Sequence, residues 1–144
     1  MRVKTSHSRV ISVVTDRAAG ELPAVILVVE DETLLRELAV DILEDAGFVV
    51  LEAGDAEAAV GLLETRPDIA ALFTDINMPG AMNGLELVDA VRERWPSIKI
   101  LVASGDVRPR LFDLPVDSVF LGKPYRGEAV VAGLRSLMTG GQAG

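Results

Sequence analysis

The chain has 144 residues and a net charge of −8, from 14 basic and 22 acidic side chains. Cysteine is absent, which excludes disulfides, thiolate metal sites and cysteine nucleophiles; the single histidine, His7, lies ahead of the region where strands and helices begin, which excludes histidine-rich zinc sites and a Ser-His-Asp triad. Hydrophobic residues make up 49% and aromatics 4%, so one domain with an aliphatic core of Val, Leu, Ile and Ala is expected.

Residues 1–23 are polar and irregular, carry a net +2 and close on Glu21-Leu22-Pro23. They read as a flexible N-terminal extension, with room for a small strand at Val10–Val14. That stretch is too short for the apolar region of a signal peptide. No apolar run approaches the roughly 18–20 residues that cross a bilayer, so a cytoplasmic protein without membrane insertion is expected. The rest of the chain is −10. A field of that sign repels phosphate backbones, so no direct contact with nucleic acid is expected of the folded part.

From Ala24 onward, short apolar runs alternate with helix-period segments, the pattern of an α/β domain with a parallel sheet. Strands are expected at Val25–Val29, Val49–Glu52, Ala70–Thr74, Ile98–Ala103 and Asp117–Leu121. The first, third and fourth are nearly continuous in apolar residues, as strands covered on both faces should be. Between them, Leu35, Leu38, Ala39, Ile42 and Leu43 line one face of a helix that Gly47 can stop. Ala56, Ala59, Val60 and Leu63 line a second, which Asp55 can cap. Leu85, Val88, Val91 and Trp95 line a third, which ends before Pro96. Between Gly105 and Asp117, Pro109 and Pro115 leave at most about one and a half turns for a fourth helix. Val130, Val131, Leu134, Leu137 and Met138 line the last. The folded domain should thus span residues 24–139, with a flexible tail at 140–144.

Four fragments combine a strand end with a chemically useful side chain. Glu30-Asp31 follows the first strand. Two adjacent carboxylates there suit a hard cation such as Mg²⁺, or they simply complement the N-terminus of the next helix. Asp75, after Ala-Leu-Phe-Thr and before the Pro79-Gly80 turn, could be a metal ligand, a nucleophile or a turn residue. Ser104, before Gly105, could donate to a phosphoryl oxygen or be an ordinary loop serine. Lys123-Pro124 closes the last strand with a compact positive charge, a common phosphate partner.

With these fragments in this order, the chain resembles the receiver domain of two-component response regulators, from Ala24 to about Met138. The resemblance implies a doubly wound five-stranded parallel sheet of flavodoxin-like order 2-1-3-4-5, here with a shortened fourth helix. In such sheets ligands bind beyond the carboxyl ends of the strands at the topological switch point, between the strands that supply Asp31 and Asp75. By matched position, Glu30 and Asp31 look like the acidic pair and Asp75 like the phosphoacceptor. Asn77 looks like the residue giving its backbone carbonyl to Mg²⁺. Ser104 and Phe120 occupy the switch positions, Lys123 matches the family's lysine, and the Lys123-Pro124 peptide is often cis. Met78-Pro79-Gly80 and Asn83-Gly84 match the loop after the phosphoacceptor. Asn77 and Asp106 stand where receivers flank the path of the hydrolytic water.

The implied activity is phosphotransfer from a sensor histidine kinase or histidine phosphotransfer protein onto Asp75, with Mg²⁺ as cofactor. The domain would catalyse its own phosphorylation and dephosphorylation and switch a surface read by an unnamed downstream protein. Three alternatives belong to other classes. A degenerate receiver would only bind proteins. A hydrolase of the haloacid dehalogenase type also forms an aspartyl phosphate, but needs an aspartate where this chain has Asn77. A flavin binder would want a phosphate-cradling loop in place of Glu30-Asp31-Glu32.

Overall fold

A computed structural model describes residues 22–76, 78, 82–105 and 118–139. Residues 1–21 of the expected extension, Asn77, Pro79, Gly80, Asp106, the region expected to hold the shortened fourth helix and the tail lie outside these. The described elements run β1 (Val25–Val29), α1 (Thr33–Asp45), β2 (Val49–Ala53), α2 (Ala56–Thr65), β3 (Ile69–Asp75), α3 (Gly84–Arg94), β4 (Lys99–Ser104), β5 (Val119–Gly122) and α4 (Gly127–Met138). The five strands form one sheet in the order β2-β1-β3-β4-β5, all neighbours parallel. This is the expected order, and strand bounds move by no more than two residues from those read in the sequence.

Alternate residues of each strand face opposite sides of the sheet. Leu27, Val29, Leu72 and Val102 join Ala59 and Leu63 of α2 and Leu87, Val88 and Val91 of α3 in one core. Ile26, Val28, Phe73, Leu101 and Ala103 join Ala39 and Leu43 of α1 and Val130 and Leu134 of α4 in the other. This two-sided burial is why β1, β3 and β4 read as unbroken apolar runs.

Local signals end the helices. The Asp55 side chain accepts from the Ala58 amide at 2.8 Å, as expected of a cap. Gly47 takes a φ of 100° just beyond α1, a conformation that only glycine adopts without cost. Asn83 and Glu86 form a reciprocal capping box at the start of α3. One helix face needs correction. Leu38, expected on the inner face of α1, is 55% exposed. The buried stripe runs through Ala39, Val40 and Leu43, and Leu38 sits about 100° around the helix from Ala39, on the side away from Val40.

Candidate phosphoryl and metal site

Register decides what meets at the carboxyl edge of the sheet. Val29 pairs with Ala53 and Thr74, Asp75 with Ala103, and Ser104 with Gly122. The strands therefore finish nearly level. Glu30, Asp75, Ser104 and Lys123 are delivered to one edge, with Asp31 one residue beyond. Backbone hydrogen bonds carry the ladder past the strand ends. The Glu30 amide donates to the Ala53 carbonyl at 3.1 Å, Ile76 to Ala103 at 3.0 Å, and Lys123 to Ser104 at 2.8 Å.

The side chains converge as the sequence suggested. Carboxylate oxygens of Glu30, Asp31 and Asp75 lie within 4.8 Å of one another. The Lys123 ammonium donates to Asp75 Oδ2 at 3.0 Å and to Glu30 Oε1 at 3.2 Å. Glu30 and Asp75 are buried, at 5% and 8% exposure, while Asp31 is the most exposed of the three. An acidic group this enclosed requires compensation, and Lys123 supplies part of it. Clustered carboxylate oxygens at this spacing are also a donor set that fits a hard divalent cation.

The charges have consequences for titration. Burial raises the Glu30 carboxyl above its ordinary value, and the Glu32 amide and the Lys123 charge offset this only partly. That amide donates to Glu30 Oε2 at 3.1 Å. Burial by itself lowers the Lys123 ammonium. The hydrogen bond and charge of Asp75, then Glu30, outweigh that and leave Lys123 above its ordinary value. The peptide between Lys123 and Pro124 is cis.

Asp75 is held by its main chain as well. The Thr74 hydroxyl donates to the Asp75 carbonyl at 3.0 Å, and the Gly84 amide donates to the Ile76 carbonyl at 2.9 Å. A Cβ at Gly84 would stand 2.1 Å from the Asp75 carbonyl oxygen, so α3 can begin this close to the site only with glycine there.

Ser104 is buried at the end of β4. Phe120 is half-buried and packs against the core on the α2–α3 side. The expected contributions of Asn77 and Asp106 fall outside the described residues.

Two residues at the site were not singled out from the sequence. Tyr125 packs edge-on against Phe73, with ring centroids 5.6 Å apart. Both rings line a small cavity together with Glu30 and Asp75. Burial raises the Tyr125 phenol; Lys123 acts against the shift, and Glu30 and Asp75 add to it. Arg36 donates from Nη1 to the Glu30 carbonyl at 2.8 Å and from Nε to Glu52 Oε1 at 3.1 Å. A lone acidic residue, Glu52, in an otherwise apolar strand was the available signal for Arg36.

Residues 26–132 match the family model described as the response regulator receiver domain. The chain is 32% identical over 126 residues to the probable transcriptional regulatory protein TcrX of Mycobacterium tuberculosis, covering 85% of this chain and 52% of that one. It is 32% identical over 115 residues to the transcriptional regulatory protein CpxR of Escherichia coli, covering 78% and 48%. The chain thus spans about half the length of these relatives. A response regulator receiver protein from Sinorhizobium medicae superposes with a TM-score of 0.75 at 26% identity, over 82% of this chain and 96% of that one. The sheet order, the level strand ends and these matches agree, and the chain belongs to the receiver domain family of two-component response regulators.

Proposed function

We propose that the domain takes a phosphoryl group from a phosphohistidine on a sensor kinase or histidine phosphotransfer protein and carries it on Asp75. The observation that supports this most is the placement of one ammonium, Lys123, against both Asp75 and Glu30 at a three-carboxylate cluster. An Asp75 carboxylate oxygen bonds to phosphorus as the bond from phosphorus to the imidazole nitrogen breaks. The electron pair stays on that nitrogen, and a proton carried by the other ring nitrogen lets the group leave as neutral imidazole. Lys123, already hydrogen-bonded to Asp75, can follow the negative charge from the carboxylate onto the phosphoryl oxygens. Glu30, Asp31 and Asp75, with the Asn77 backbone carbonyl, would hold Mg²⁺, whose contribution is to neutralise charge on the transferring group. The acyl phosphate brings about two negative charges to a buried edge. Ser104 is drawn toward it and Phe120 turns inward, which biases a two-state surface for a downstream protein.

Acetyl phosphate, a small donor, tests the assignment without a cognate kinase. With Mg²⁺ present, intact-mass measurement should find one added phosphate on the wild type and none on Asp75→Asn. An adduct of equal yield on Asp75→Asn would remove Asp75 from this role.

A further inference from the structure

The acidic pair reaches the site on a single peptide unit, the one joining Glu30 to Asp31. Its carbonyl lies beyond the last paired residue of β1, and among the described residues no backbone amide donates to it. Arg36 holds it instead. The guanidinium spans two elements, with Nη1 on the Glu30 carbonyl at 2.8 Å and Nε on Glu52 of β2 at 3.1 Å. Both Arg36 and Glu52 are largely buried, at 19% and 13% side-chain exposure. The slot is tight beside Gly54, where a Cβ would stand 3.3 Å from Arg36 Nη1. A planar fork of fixed donors suits such a bridge, whereas a single ammonium does not.

We infer that Arg36 is a positioning residue for the metal pocket: tied to Glu52, it fixes the Glu30–Asp31 peptide and so sets how the two carboxylates face a divalent cation. The inference rests on the reading of Glu30 and Asp31 as cation ligands in the proposed function. Its sign is opposite to that of simple electrostatics. Arg36 is a positive charge near a cation site, so deleting it should strengthen Mg²⁺ binding if charge were all that mattered. Loss of positioning should weaken it.

Titration of the full chain with Mg²⁺, followed by the amide resonances of Asp31 and Asp75, separates the two. Arg36→Met should raise the Mg²⁺ Kd roughly tenfold, the scale seen when the partners of metal ligands are removed. Arg36→Lys, which keeps the charge, should fall between Arg36→Met and the wild type. A role limited to stability would lower the urea midpoint and leave the Kd of the folded fraction unchanged. An Arg36→Met Kd equal to or tighter than wild type overturns the inference. If Arg36→Met does not fold, Arg36→Lys decides: a weaker Kd supports positioning and a wild-type Kd overturns it. A wild type that shows no Mg²⁺ response fails the metal-site reading itself, a different result from a wild type that binds and a variant that binds equally well.

Discussion

β1 and β5 contribute opposite charges to the same site but are anchored very differently. All five residues of β1 are buried, and the strand is paired on both sides, with β2 and β3. β5 is an edge strand of four residues, three half-buried and one exposed. The carboxylates of Glu30 and Asp75 thus stand on the rigid centre of the sheet, while Lys123 and Phe120 arrive on its margin. The proposed gain and loss of a phosphoryl group would benefit from this division. Under that proposal the acceptor would stay put, while Lys123 rides on the less buried edge strand.

The sharpest way to break this contrast is by paired truncation. Leu27→Ala, at a fully buried position of β1, should cost about 3 kcal/mol by urea denaturation. Leu121→Ala, at a half-buried position of β5, should cost about 1 kcal/mol or less. Equal losses would mean that the margin is anchored as firmly as the centre. Next in size, Gly84→Ala tests how rigidly Asp75 is seated. The added Cβ falls against the Asp75 carbonyl, and the resulting shift should cost about 2 kcal/mol; a neutral substitution would show that the backbone there gives easily.

A smaller effect should follow from the proposed switch. Beryllofluoride, a phosphoryl mimic, should shift amide resonances near Phe120 in the wild type and shift them much less in Ser104→Ala, although both proteins bind the mimic. Identical shifts in the two would uncouple Ser104 from β5. The smallest expected effect is on alkaline stability. Lys123 and Tyr125 both titrate above their ordinary values of 10.5 and 10.0 in the folded chain. Groups raised on folding lend stability that is intact below those values and is lost as pH rises through the folded-state pKa. Stability should therefore fall above about pH 10, and fall less steeply in Lys123→Met and in Tyr125→Phe. Parallel slopes in all three proteins would deny both groups a part in it.

Much of this was legible before any geometry. Strands buried on both faces leave continuous apolar runs, and the polar residue that ends each run marks the edge where ligands gather. Glu30, Asp75, Ser104 and Lys123 were visible for that reason. What depended on the phase of a helix was less legible: Leu38 fits an apolar stripe on α1 about as well as Val40 does, and only the folded arrangement buries Val40 and exposes Leu38. Arg36 was hidden because its partner Glu52 lies on another element. The Asn83–Glu86 box was hidden for a plainer reason: Asn83-Gly84 also reads as a loop motif, which masks a helix start.

The chain has a single tyrosine and a single tryptophan, and they occupy unlike places. Tyr125 lines the small cavity together with Glu30 and Asp75. Trp95 lies just past the end of α3, with the Arg94 guanidinium 4.3 Å from its ring centre. The molecule thus carries two distinct chromophores, one beside the buried carboxylates and one at the end of α3. Selective excitation of the indole, set against the phenol's absorbance, would report on each separately without any attached dye.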